Sequence, residues 1–447
     1  MSLPTRPARL VLAGVACVTL VATGCGSSND DSSSPGASAE CAPYSQYGSH
    51  PGTTVSVYSP IRDKEADAFL QTWATFAKCT GIKVDYEGTG EFEAQIQVRV
   101  DGGNPPDLAF FPQPGLVDRF VKAGKLKTAP EKVKALATQN WTADWLKYTT
   151  IDRKFYGAPL GSNVKSFVWY SPKMFKEKGY QVPETWDDLI ELSDKIAADG
   201  VKPWCAGIES GDATGWPATD WIEDVLLREG GPDVYDQWVT HKIPFNDQKI
   251  VDAVDRVGSI LKNDKYVNGG YGPVNSIAST AFQEGGIPIT TGKCALHRQA
   301  SFYSSFWPAT AKVAPDGDVF AFYLPGNNAS EKPVLGAGEF VTAFTDRPEV
   351  QALQEYLATS DFANSRMKLA TYVSANKGVD LANAQNPIDK LSMEILRDPN
   401  TVFRFDGSDL MPAAVGAGTF WKGMTDWING KDTKSTLDFI EASWPKS

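Results

Sequence analysis

Apolar positions alternate with polar ones over 53–58, which predicts a strand. Over 63–78 they change period: Ala66, Phe69, Leu70, Trp73, Phe76 and Ala77 fall at helical spacing, and Gly81 stops the run. A strand over 82–86 follows, then a helix over 91–100 with Phe92, Ile96 and Val100 inward. The continuous apolar stretch 107–112 has the character of a buried parallel strand, and a helix over 116–123 ends at Gly124. Strands alternating with helices imply right-handed crossovers and a mostly parallel sheet.

The pattern restarts after 157–162, with a strand over 165–170 and a short helix over 172–177. Thr185 with Asp188 three residues on is a helix-opening box, and that helix runs to 198. Helices over 247–261, 350–359 and 418–428 and strands over 291–296 and 319–324 complete the reading. The apolar run 333–344 is interrupted by Gly336 and Gly338, as at a bend or where a ligand comes close. The stretch 209–229 begins as a turn (Ser210, Gly211, Asp212, Thr214, Gly215) and ends as a helix that Thr219 or Asp220 can cap. Trp216 sits at the join, and Trp221, Val225 and Leu226 form a stripe beyond it. These indoles either fill a core beneath a loop or offer a flat face to a ligand that is polar at its edges, such as a sugar.

A chain of 447 residues suffices for two lobes, and a net charge of −11 excludes a phosphate-backbone partner, so no nucleic acid is expected. Residues 1–24 form an export signal: Arg6 and Arg9, then the apolar 10–22, too short to span a membrane. The small residues before Cys25 resemble a bacterial lipoprotein signal, with Ala22 where Leu is commonest. That resemblance implies lipidation of Cys25 and anchoring to the outer face of the cytoplasmic membrane. Residues 25–50 read as a flexible tether. Cys41, Cys79, Cys205 and Cys294 allow three pairings; proximity favours Cys41–Cys79, leaving Cys205–Cys294. No two of these cysteines have metal-ligand spacing, so no metal or other cofactor is expected.

Nucleophile elbows, phosphate loops, zinc-protease and calcium-loop motifs are absent from the sequence, and His297, one of 3 histidines, reads as buried structure rather than a base. A carboxylate pair for glycoside hydrolysis stays open among Glu91, Glu93, Asp212, Asp220 and Glu339. Polar and aromatic side chains gather at element ends. Arg62 follows the first strand, Glu91 and Phe92 open a helix, and Gln113 follows the third strand. Asn163 and Trp169 flank the passage between halves, and Arg298, Gln299, Phe302 and Trp307 follow the strand containing Cys294. Ligands of open α/β sheets bind beyond the carboxyl ends of strands, where such groups bond hydroxyls and cover C–H faces.

Five stretches carry a family resemblance: Asn104-Pro-Pro-Asp-Leu-Ala-Phe-Phe, Val182-Pro-Glu-Thr-Trp-Asp-Asp-Leu, the run from Ser210 to Trp221, Gly292-Lys-Cys-Ala-Leu-His-Arg-Gln-Ala-Ser-Phe, and Gly336-Ala-Gly-Glu-Phe. From about residue 52 onward the chain resembles the sugar-binding lipoproteins of bacterial ABC importers, and in particular their α-glucoside-binding branch. The resemblance implies an α/β, two-lobed fold of the type II periplasmic-binding-protein kind. Lobe 1 would comprise 51–160 and 336–390, and lobe 2 161–335 and 391–447. It also implies a monomer, not an enzyme, that closes over an α-glucoside such as trehalose, maltose or sucrose and docks on ABC permease subunits. By position, Gln113 matches a hydroxyl-binding residue, Trp216 a stacking ring, Gln299 to Phe302 a second stacking segment, and Glu339 a hinge crossing. Arg404, Asp409 and Trp421 are C-terminal candidates. Rings from both halves are expected to face one gap. The competing classes are a cell-surface glycosidase and a binder of peptides or oxyanions.

Overall fold

The computed structural model describes residues 39–330 and 332–446; the signal, Cys25 and the tether up to residue 38 lie outside the described residues. Two sheets form two lobes. In the first, the strand order is Lys83–Gly88, Thr54–Ser59, Leu108–Phe111, Phe340–Ala343, Gly157–Pro159. Its first three strands are parallel, as βαβ crossovers demand, and Phe340–Ala343 runs antiparallel because it returns from the other lobe. The second sheet is ordered Phe320–Tyr323, Phe167–Tyr170, Cys294–Arg298, Lys202–Trp204. Between them Asn163–Val164, Pro333–Ala337 and Val402–Phe405 make a small sheet at the junction.

The glycine-broken run over 333–344 is therefore two strands in two sheets, and Gly338-Glu339 is a crossing between lobes. A Cβ on Gly338 would lie 2.3 Å from the carbonyl oxygen of Gly161, so two crossings pass in backbone contact and only glycine fits there. The expected helix over 63–78 divides into Asp63–Thr72 and Ala74–Thr80. At the break the Thr72 hydroxyl donates back to the Ala68 carbonyl at 2.6 Å and competes with the helical ladder. The strand expected over 291–296 lies later, at Cys294–Arg298, behind a 3-10 turn Ile287–Thr291. The opening box at Thr185 is present in full, with Asp188 N–H donating to its hydroxyl at 3.2 Å. Helices Glu131–Asn140, Gly231–Val239, Ser360–Leu369, Pro387–Arg397 and Thr433–Glu441 have no counterpart in the sequence reading.

The expected tether is folded where it is described. Ala42–Tyr47 is a 3-10 turn whose Tyr47 ring packs 5.4 Å from Phe76 and 5.8 Å from Tyr356, and Cys41 is bonded to Cys79. The second disulfide is Cys205–Cys294, inside lobe 2. Closing a loop of 89 residues confers about 4.6 kcal/mol through the unfolded chain. Replacing both Cys205 and Cys294 by Ala is expected to remove about that much, read from urea melts. Among the described residues no helix is long and apolar enough to cross a membrane.

Candidate functional site

The carboxyl ends of the parallel strands of lobe 1 open onto a cleft between the lobes. Arg62 follows Thr54–Ser59, Gly90 follows Lys83–Gly88 and Gln113 follows Leu108–Phe111, and all three line it. The space between the lobes, counted together with its open mouth, is about 1030 Å³. Gln113 Nε2 donates to Glu93 at 3.0 Å, while its Oε1 is buried and unpartnered.

Lobe 2 supplies the rings. Helix Trp216–Glu229 begins at the cleft because Gly215 adopts φ +115°, and a Cβ there would lie 2.1 Å from the Trp421 carbonyl oxygen. The helix thus starts before Thr219 and Asp220, and neither caps it; the Thr219 hydroxyl donates back to the Trp216 carbonyl at 2.9 Å. Trp216 meets Phe282 edge-on at 5.1 Å and Phe302 at 6.1 Å, and Phe306 lies 6.0 Å from Phe302. Trp421 lines the same cleft, with its indole Nε1 buried and unpartnered. Rings were expected from both halves, but these all come from lobe 2. Phe92, the lobe 1 candidate, is sunk between Tyr58 and Phe111 in the core.

Beneath the rings lies a buried ionic lattice. Asp220, Glu223 and Asp224 sit at helical i, i+3 and i+4, so one face of Trp216–Glu229 is acidic. Lys165, just after the crossing strand, donates to Asp220 at 2.8 Å and to Asp406. Arg298 donates to Asp220 at 3.2 Å and to Asp224 at 2.9 Å, and Arg228 pairs with Asp224. Glu223 accepts from the backbone N–H groups of Gly407 (2.7 Å) and Ser408 (3.0 Å). Burial alone would raise Asp406, but Lys165 and the Ser408 hydroxyl hold its carboxyl down to about 2. Burial and the charge of Asp406 push Glu223 well up. Carboxylate oxygens of Asp220, Glu223 and Asp406 come within 4.8 Å of one another, a spacing that suits a cation, and the Lys165 ammonium already bridges two of the three.

Of the residues expected at a site, Arg62, Gln113, Asn163, Trp216, Phe302, Glu339 and Asp409 line the cleft. Asp220 and Arg298 belong to the lattice behind it, and Gln299 is buried with its side-chain carbonyl on the Ala300 N–H at 2.8 Å. Trp169 and Trp307 pack together in the lobe 2 core at 5.6 Å, because the register facing Trp169 to His297 turns its ring inward. Arg404 points away and pairs with Asp236 at 2.7 Å. His297 is buried on the Cys205 carbonyl at 2.8 Å, and burial lowers it to about 4, so it is a neutral structural group. Glu93, considered from the sequence only as one of a carboxylate pair, lines the cleft, and Glu65, Lys165, Asp406, Phe282 and Phe306 also line it and escaped the sequence reading. The two glutamates sit in first helical turns, where acids are ordinary, and the phenylalanines in stretches without periodicity.

Glu91 and Asp212 stand on opposite lips. A Cβ on Gly211 would be 3.3 Å from the Gly90 carbonyl oxygen, so the lips touch. A hydrogen bond with Asp212 and repulsion from its charge raise the Glu91 carboxyl. Glu91→Gln removes a repulsion that exists only when the lips meet. It is expected to tighten ligand binding about threefold at pH 7.5 and to change nothing at pH 4, read by titration calorimetry.

The model of the family described as bacterial extracellular solute-binding protein matches residues 62–381. The chain belongs to this family. It is 40% identical over 400 residues to the osmoprotective compounds-binding protein GgtB of Synechocystis sp., covering 88% of this chain and 92% of that protein. It is 38% identical over 405 residues to the alpha-glucosides-binding periplasmic protein AglE of Rhizobium meliloti, covering 88% and 87%. In fold, this solute-binding protein superposes on the bacterial solute receptor AcbH, described as preferring b-D-galactopyranose, with a TM-score of 0.74 at 19% identity over 87% of this chain and 98% of that one. The two-lobed architecture is thus that of the sugar receptors.

Proposed function

We propose that this solute-binding protein is the receptor of an ABC importer for short α-glucosides, gluco-disaccharides such as trehalose, maltose or sucrose. The observation that carries the reading is the pairing of a ring wall (Trp216, Phe282, Phe302, Phe306) with two buried, unpartnered polar atoms, Gln113 Oε1 and Trp421 Nε1, in one cleft. Rings cover the C–H face of a pyranose, and an unpaired buried acceptor and donor are costly until hydroxyls satisfy them. The name of AglE supports α-glucosides, and that of GgtB supports small osmoprotective solutes. Contacts offered from both lobes favour the closed form once sugar is present, and the permease then takes that form. Lobe 1 formed by 51–160 and 336–390, lobe 2 by 161–335 and 391–447, a monomeric state and a lipid anchor on Cys25 belong to the same reading.

Calorimetry with trehalose, maltose and sucrose, with glucose release followed in parallel, tests it. Binding of at least one disaccharide without turnover is expected. Released glucose would make the chain a glycosidase, and no heat with any of the three would remove the glucoside assignment.

A further inference from the structure

The hinge end of the cleft narrows into a small chamber whose wall includes Glu65, Phe69, Tyr372 and Glu339. Behind that wall stands Arg366, wholly buried on helix Ser360–Leu369. Its guanidinium lies 4.8 Å from the Phe69 ring centre and 5.1 Å from that of Tyr372, so two of the chamber's rings flank it. Nη1 donates to the Ala370 carbonyl at 3.4 Å, while Nε and Nη2 are buried without a hydrogen-bond partner.

An arginine does not shed its proton, so a guanidinium this deep has to be balanced by carboxylates. Two answer it, Glu65 and Asp389. Asp389 is wholly buried in the first turn of Pro387–Arg397. Glu65 is half-buried in the first turn of Asp63–Thr72 and lines both the chamber and the wider cleft. Other groups face the same place. Glu339 comes from the crossing after Pro333–Ala337, and Tyr86 and Tyr372 bring phenols near Glu65. Lys165 is held by Asp220 and Asp406. Arg62, three positions before Glu65, lies toward the lip, 2.9 Å from a Cβ placed on Gly90 and 3.8 Å from Asp63. Arg366 is thus the cation that draws the Glu65 carboxyl to the hinge end and away from Arg62.

We propose that Arg366 is a positioning residue of the sugar site, holding Glu65 at the hinge end as a charged acceptor for a ligand hydroxyl. The proposal rests on the glucoside reading above and adds to it a residue that acts only through another. A carboxylate accepts from a hydroxyl more strongly than a neutral carboxyl does, and one already fixed gives up less freedom when the ligand arrives. The titration behaviour agrees. Burial raises the Glu65 carboxyl and Arg366 pulls it back. Burial lowers Arg366, and Glu65 leads the charges that support it.

Arg366→Met alone would strand Asp389, so the test joins it to Asp389→Asn, in the native chain and on a Glu65→Gln background, with Arg366→Lys as the rescue. Affinity for trehalose, maltose and sucrose is read by calorimetry between about pH 6 and pH 9, and urea melts establish that each variant is folded. Without the guanidinium, Glu65 takes up its proton at higher pH. The paired variant is therefore expected to bind the best of the three sugars about tenfold more weakly near pH 6.5, with the gap closing toward pH 9. Glu65→Gln should itself be about tenfold weaker, and the paired changes should then add little. Arg366→Lys should stay within about threefold of the native chain. Glu339 titrates in both backgrounds, so their difference reports Glu65. Unchanged affinity in Glu65→Gln would overturn the proposal whether or not the paired variant folds. So would a loss that is constant with pH, that persists on the Glu65→Gln background, or that Arg366→Lys fails to relieve; each leaves the glucoside reading standing. If the native chain binds none of the three sugars, both fall.

Discussion

Trp216→Ala is expected to weaken binding of the preferred gluco-disaccharide about 30- to 150-fold while the protein stays folded. A large ring at the centre of a binding surface contributes about 2–3 kcal/mol, and each 1.4 kcal/mol is tenfold in affinity. Trp216 is half-buried at the first position of its helix, where alanine is well tolerated and Pro217 keeps the start in place. The substitution removes the ring from contact with Phe282 and Phe302 and gives up a cation–π contact with Lys165, whose Nζ is 5.1 Å from the ring centre. Even at about 2 kcal/mol for a desolvated ammonium, that contact is too weak to unfold the lobe. Trp169→Ala makes the contrast. That ring is wholly buried, so its removal should cost about 3–5 kcal/mol of stability by opening a cavity, and reach binding only through unfolding. Calorimetry and urea melts on the two variants separate a ring that meets ligand from one that fills the core. Unchanged affinity in Trp216→Ala would remove this indole from the site.

The second large effect belongs to Lys165→Met. Its ammonium is the charge that lets Asp406 and Asp220 remain buried beside the cleft. Removing one member of such a cluster leaves an uncompensated carboxylate, at a cost of about 3–5 kcal/mol. The pH dependence has a definite sign. In the native protein Asp406 is held at about 2, below the roughly 3.9 of an unfolded aspartate, so its contribution is fully present above pH 4 and is lost as the pH falls toward 2. Without Lys165 burial dominates and the carboxyl titrates above its unfolded value, so the variant gains relative stability as the pH falls. The difference between native protein and variant should therefore be largest near pH 8 and shrink toward pH 4, as followed by urea melts across that range. A difference that stayed constant with pH would mean that Lys165 acts by packing rather than by charge.

Much of the site was legible because the sequence pattern locates the ends of strands. Arg62 and Gln113 were found as residues following parallel strands, and Trp216 as the ring where a turn becomes a helix. The same rule placed Trp169 and Trp307 at the site, and the family resemblance added Arg404, yet the first two lie in the core and the third pairs with Asp236 away from the cleft. Position along a strand says how near the cleft a residue lies, while register and twist decide which way its side chain points. Glu65, Lys165 and Asp406 were missed because a charged residue in a first helical turn or beside a strand looks like an ordinary solvated group until other elements cover it. The acidic face of Trp216–Glu229 was present in the spacing of Asp220, Glu223 and Asp224, but it was overshadowed by the apolar stripe beginning at Trp221.

By itself the sequence determined the alternating strand–helix order, the glycine interruption at Gly336 and Gly338, the turn that ends at Trp216 and a cysteine set whose neighbours in the chain are its partners. Those features depend on local periodicity, backbone freedom and loop length, which are written within a few tens of residues. Only the tertiary structure decided that the rings of the cleft belong to one lobe, that Lys165 and Arg298 neutralise a buried acidic helix face, and that Glu65 and Glu339 share one chamber. Burial, counter-ions and unpartnered atoms are properties of groups brought together from hundreds of residues apart, and they come into being only when the lobes pack.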